Sequence, residues 1–232
     1  MDTQIYHSCI SILAEELVPA MGCTEPIAVA YAAALARDTL GNIPEETEVA
    51  VSDSILKNVK SVIVPNTGGM RGVAAAVAAG FAAGKAERKL EVISEVSETE
   101  RHAIAQFLKT QTIRVMKSDT GCVFDIGMHV KKGEDTAYVR ISGHHTNVVH
   151  IEKNGQVLFD KQTAQEEQGA NAALKAEISV RQIVEFADTV DLADVEELLS
   201  RQIEYNTAIA QEGLKNDYGA RVGKILLQAF GG

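Results

Sequence analysis

The sequence predicts an α+β fold: an antiparallel, hairpin-rich sheet packed with Ala-rich helices, with helical segments at both ends. Three observations predict it. Helical periodicity dominates the first residues, strand alternation concentrates between residues 123 and 159, and helical patterning returns from Ser179. Strands and helices segregated along the chain argue α+β over a repeating βαβ unit. A hairpin sheet of this kind needs helices on only one face.

The elements follow in order. Ile5, Cys9, Ile12, Leu13 and Leu17 fall largely at three- and four-residue intervals, and Pro19 stops that helix. A second helix starts at Thr24. Thr24 is a competent N-cap, Glu25 suits the positive end of the helix dipole, and Pro26 is tolerated in a first turn. The run IAVAYAAALARDTL carries it to a Gly41-Asn42 stop, and its alanines imply close packing. Residues 47–52 alternate as a strand, and β-branched content makes residues 61–64 a second. Pro65-Asn66-Thr67-Gly68-Gly69 is a loop before an Ala-rich helix over 73–85. Ser97 and Glu100 form a capping box ahead of HAIAQFLK.

Residues 123–130 alternate, with Phe124, Ile126, Met128 and Val130 on one face, and 137–141 is the hairpin partner. A second hairpin joins 148–152 to 156–159 through Asn154-Gly155, the strongest two-residue turn signal. A polar stretch follows over 162–171. Ser179 and Gln182 then cap the helices that close the chain. The domain reading is one α+β domain over 1–232, with a subdivision near 111–172 for the hairpin sheet.

Composition bounds the function. Of 232 residues, 46% are apolar and 23% charged, which is ordinary for a globular chain. A net charge of −10 with scattered basic residues makes nucleic acid and anionic membrane surfaces poor partners. No apolar run is long enough to span a bilayer. The N-terminus lacks the basic and apolar regions of a secretory signal. Cys9, Cys23 and Cys122 are an odd number at wide spacing, so reduced thiols in the cytoplasm are expected rather than a disulfide framework.

Three segments could carry chemistry. In Met21-Gly22-Cys23-Thr24-Glu25-Pro26, a cysteine just before a helix faces unpaired N–H groups and the dipole's positive end. Both favour thiolate, the form that attacks or ligates a metal. The ordinary alternative is a cysteine packed at a turn. In Val64 to Gly72, a strand, a Gly-rich loop and a helix have the layout of an anion site, with Arg71 beside it. The alternative is glycines that permit tight packing. In Ser142-Gly143-His144-His145-Thr146-Asn147, adjacent histidines between two strands could be acid/base groups. They are not spaced as a structural zinc site, and the alternative is a polar turn.

The stretches ELVPAMGCTEPIAVAYAAA, DSILKN, VPNTGGMRG, SGHHTNVVHIE and AIAQEGL, in that order, resemble the front half of the L-cysteine desulfidase family. That family is similar to the α-chain of iron–sulfur L-serine dehydratases. The resemblance implies a lyase of amino-acid catabolism. A [4Fe–4S] cluster with one open iron site would polarise the leaving thiol or hydroxyl, a protein base would remove the α-proton, and the product would break down to pyruvate and ammonia.

Carried over residue by residue, Cys23 is the GCTEP cysteine, placed near substrate or cluster as base, thiolate or metal ligand. Thr24 and Glu25 orient it. Asn58 and the Thr67-Gly68-Gly69 loop line the same region, and His145, Thr146 and Asn147 match the GHTN element. Catalysis thus falls to Cys23, Glu25 and His145, and substrate binding to Thr24, Asn58, Thr67, Gly68, Gly69, Thr146 and Asn147. Family members are typically about twice as long, and the resemblance places the main cluster cysteines in their second half. The expectation is therefore an N-terminal part that lacks the cluster-binding half, binds no cluster alone, and is inactive alone. It would be a truncated piece, one subunit of a split enzyme, or a remnant with another task. The expected partners are a small amino-acid substrate, the missing half or a second subunit, and further copies of itself in a homo-oligomer. The alternative reading is a domain that binds an amino acid or carboxylate at the Thr67–Gly69 loop and regulates without catalysis.

Overall fold

A computed structural model describes residues 1–161 and 178–231. The polar stretch read over 162–171 lies outside the described residues. The chain divides into two compact units, Pro19–Gln168 and the pair Met1–Val18 with Gly169–Gly232.

The larger unit holds the sheet. Its described elements are α2 (Thr24–Leu40), β1 (Glu46–Val51), α3 (Asp53–Val59), α4 (Gly72–Ala83), a 3-10 turn (Ala86–Glu91), α5 (Glu98–Thr110), β2 (Ile113–Lys117), β3 (Asp125–Lys132), β4 (Asp135–Ser142), β5 (Val148–Lys153) and β6 (Gln156–Asp160). The strand order is β2-β1-β3-β4-β5-β6. The α+β class holds, but the sheet is mixed: β1 runs parallel to β2 and antiparallel to β3. The hairpins share this one sheet with β1, so the 111–172 segment does not stand apart.

One face of the sheet is apolar. Val49, Val51, Ile126, Met128, Val130, Val139 and Ile141 are fully buried beneath α2 and its neighbours. Each such side chain contributes about 1.5–3 kcal/mol relative to exposure. α2 and α4 approach so closely that a Cβ on Gly80 would lie 2.2 Å from the Ala30 carbonyl oxygen. Alanine and glycine are what this backbone contact allows. Arg37 of α2 fastens the pair by donating to the Gly80, Phe81 and Gly84 carbonyls at 2.8–3.2 Å. All three lie at the C-terminal end of α4, where carbonyls run out of partners within the helix; the Gly80 carbonyl also accepts from the Gly84 amide.

Several expectations hold in detail. The Ser97–Glu100 capping box forms. The Asn154-Gly155 turn takes the two positive φ values, 51° and 77°, that a tight hairpin of this hand needs. Others are corrected. Residues 61–64 form no strand; Ile63 makes only an isolated bridge to Arg71. The helical element there is α3, whose Ile55 and Val59 are both fully buried. That helix ends before residue 61, so it precedes the segment read as a strand and does not replace it. Thr24 is the first helical residue rather than the cap; Cys23 occupies the N-cap position and makes no side-chain cap bond.

The smaller unit is helical where described: α1 (Thr3–Glu16), α6 (Val180–Thr189), a 3-10 turn (Leu192–Asp194), α7 (Glu196–Lys215) and α8 (Val222–Phe230). Ser179 and Gln182 form the expected capping box on α6. Its core is small, with Cys9, Phe186 and Val195 buried and Ile5, Tyr6 and Leu13 against them. The Tyr6 hydroxyl donates to Asp194 at 2.6 Å and accepts from the Asp191 amide at 3.1 Å. Among the described residues, no helix is long and apolar enough to cross a membrane.

Candidate active site

Gly22 turns the chain into α2 with φ 87°, a region side chains rarely adopt. The turn leaves Cys23 at the helix entry, half-buried, with Glu25 in the first turn. The Cys23 thiol donates to Glu25 Oε2 at 3.1 Å. Asn58 Nδ2, from α3, donates to Glu25 Oε1 at 3.1 Å. One carboxylate thus accepts from two sides.

Electrostatics here differ from the sequence expectation. Burial first, then the bond to Glu25, push the Cys23 thiol above its ordinary value. The helix entry favours a charge, and Glu25 carries it instead. The Cys23 bond, with help from Asn58 and from His145, holds Glu25 below the ordinary carboxylate range against the opposing effect of burial. The resting pair is a neutral thiol donating to a carboxylate.

The β4–β5 turn brings the second group. His145 Nε2 lies 2.9 Å from Thr24 Oγ1, and its ring rests on Phe124 with centroids 4.5 Å apart. Burial pushes the imidazole below its ordinary value; Glu25 opposes that shift and His144 adds to it. The ring is therefore neutral near pH 7, able to donate from one nitrogen and accept at the other.

Five predicted residues thus meet: Cys23, Thr24, Glu25, Asn58 and His145. The others have different work. The buried Thr67 hydroxyl donates to the Val64 carbonyl at 2.7 Å and accepts from the Met70 amide at 3.2 Å. Gly68 and Gly69 are exposed in the same loop, and Arg71 turns away to the Ser61 carbonyl. Thr146 contributes its carbonyl to the turn, accepting from Val148. Asn147 braces that turn, donating to the Ser142 carbonyl at 2.8 Å and accepting from Lys161 at 3.2 Å. Phe124 was not singled out as a site residue. Its only signal was strand alternation, which cannot foretell a ring contact across a loop.

Among the described residues, no three His, Cys, Asp or Glu side chains gather as metal ligands. Cys122 is exposed, and Cys9 is buried in the smaller unit. The described residues therefore do not fit a [4Fe–4S] cluster, which takes several thiolates. They do form two neighbouring groups: the Cys23 thiol and Asn58 amide donating to the Glu25 carboxylate, and the neutral His145 imidazole bonded to Thr24, the residue between Cys23 and Glu25.

Comparison with known proteins finds its similarity elsewhere than the resemblance suggested. The chain is 47% identical over 227 residues to a UPF0597 protein of Desulfitobacterium hafniense, covering 97% of this chain and 52% of that one. It is 42% identical to a UPF0597 protein of Lachnoclostridium phytofermentans, covering 98% and 54%. For a UPF0597 protein of Treponema denticola the identity is 38%, covering 98% and 53%. No family model matches the chain, and no solved structure matches it. The chain thus spans about half the length of the curated relatives it matches. Those relatives overturn the assignment to the N-terminal half of the L-cysteine desulfidase family: over nearly its whole length, the chain is similar to UPF0597 proteins.

Proposed function

We propose that this chain carries the proton-transfer site of a lyase that removes a β-thiol or β-hydroxyl from a small amino acid. The supporting observation is the Cys23 thiol hydrogen-bonded to the Glu25 carboxylate, beside a neutral imidazole. β-Elimination needs a group to take the α-proton and a proton for the leaving group. The Cys23–Glu25 pair takes the α-proton as the Cα–H electrons form the Cα–Cβ double bond. The bond from Cβ to sulfur or oxygen breaks; the pair, now carrying the α-proton, passes it to the departing atom, to which neutral His145 donates a hydrogen bond. The enamine product then tautomerises and hydrolyses to pyruvate and ammonia. Thr24 orients His145, and Asn58 orients Glu25.

The free cysteines support a reducing, cytoplasmic setting. Exposed apolar side chains on α7 and α8 support a homo-oligomer. The competing anion site at Thr67–Gly69 has less support, because Thr67 and Arg71 bond within and beside their own loop.

The test is pyruvate release from L-cysteine and L-serine by the full protein, under anaerobic conditions with iron and sulfide. Cys23→Ala and Glu25→Gln should each lower kcat by about a hundredfold or more, while Cys122→Ala should leave it unchanged. Full activity in Cys23→Ala would refute the assignment.

A further inference from the structure

The second face of the sheet carries a cavity of about 260 Å³, walled among others by Tyr138, Arg140, Val149, His150, Asp160 and Lys161. The Cys23 chemistry does not use it. Alternation along β4 sends Val139 and Ile141 to the core, and so Tyr138 and Arg140 to this face. Arg140 pairs with His150, and Ile141 with Val148. Val149 is thus the extra residue of a bulge, and it turns into the cavity.

Arg140 is fixed in place. Its Nε donates at 2.8 Å to Asp125, a carboxylate only 2% exposed. Ser118 and Thr120 also donate to Asp125. The two terminal nitrogens of Arg140 carry no hydrogen bond among the described residues, which leaves a two-pronged donor at the cavity wall. Lys161 supplies a second cation, whose Nζ also reaches Asn147. Across from them, Asp160 lies 3.5 Å from His150 Nδ1.

A prepositioned guanidinium matches the two oxygens of a carboxylate. Tyr138 and Val149 offer apolar wall to a carbon skeleton, which a bare inorganic anion lacks. Asp160 repels a dianion and accepts from a donor one or two bonds away from the carboxylate. We infer that this cavity binds a small organic acid carrying a hydroxyl or ammonium beside its carboxylate. The carboxylate sits on Arg140 and Lys161 and the donor faces Asp160. The inference does not rest on the lyase reading.

The test is calorimetric titration of the chain with L-lactate, L-alanine and inorganic phosphate in separate arms. At least one of the two organic acids should bind, L-lactate identifying a hydroxy acid and L-alanine an amino acid. Affinity should fall about tenfold or more in Lys161→Gln and in Arg140→Lys. Arg140→Lys keeps a cation beside Asp125 and so preserves the fold. Glu25→Gln should bind as the unaltered chain does. Absence of binding by both acids overturns the inference. So does binding of phosphate alone, or a loss of affinity confined to Glu25→Gln, which would place the ligand at the Cys23 cluster.

Discussion

Replacing Glu25 with Gln should make the Cys23 thiol easier to ionise. In the native site the thiol donates to a carboxylate, so the thiolate would face a negative charge at 3.1 Å. A hydrogen bond to a charged group contributes about 1.5–3 kcal/mol, and solvent at this half-open site reduces that. Roughly half survives, and since about 1.4 kcal/mol is one pKa unit, the thiol should fall by about one unit. The Gln amide can also donate to the thiolate, which acts in the same direction. Below both values the thiolate fraction then rises about tenfold. A less basic thiolate is about threefold less nucleophilic, so alkylation should be about threefold faster. The assay is the rate of iodoacetamide modification of Cys23 against pH, resolved by peptide mass, in a Cys122→Ala background. A Glu25→Gln thiol that titrates at the same pH or higher would refute the account.

Three further predictions follow from the packing. Gly80→Ala places a methyl group 2.2 Å from the Ala30 oxygen and 2.7 Å from the Ala33 Cβ. Overpacking of about 1–3 kcal/mol or more should outweigh the helix-propensity gain of about 1 kcal/mol, so urea unfolding should show a net loss, and unchanged stability would contradict the contact. Phe124→Ala exposes the His145 ring, and its NMR titration midpoint should rise toward the ordinary value. In the native chain the imidazole is held neutral, so the unfolded chain binds the proton more readily and stability falls as pH drops below about 6.5. That loss should be smaller in the variant, and a lower midpoint would contradict burial as the cause. The exposed Ile209, Leu227 and Phe230, at 57–83% exposure, should make the chain self-associate; a monomer by light scattering at all concentrations would count against it.

Much of the fold was legible because its signals are local. Both capping boxes, the Asn154-Gly155 turn and the β3 alternation depend on residues a few positions apart, and all three appear as read. The failures have a different cause. Strand β2 pairs parallel to β1 across an intervening stretch that holds three helices, and nothing in Ile113–Lys117 states its partner. Residues 61–64 had strand composition but no neighbour with which to form a ladder, and α3 formed just before them. At the site, residue type and position singled out Cys23, Glu25 and His145, whereas Asn58 was named only through the family resemblance. The charge state of Cys23 was read wrongly, because a helix entry favours an anion without saying which side chain becomes one.

Thr24 joins the two kinds of result. Its residue type and position suit an N-cap, and such a cap is worth about 1 kcal/mol. Instead Cys23 takes the cap position without a cap bond, and the Thr24 hydroxyl turns to His145. The entry of α2 therefore gives up local stability, and in return a helix from the start of the chain holds a histidine from a turn 121 positions away. Local rules fail in natural chains chiefly where a functional or strained site overrides them. Here the failure falls on the residue between Cys23 and Glu25, where the proton-holding groups converge. Pure packing would favour the cap, since a capped α2 buries the same alanines. The departure puts the Thr24 hydroxyl on His145, so the residue between the thiol and the carboxylate holds the imidazole beside them.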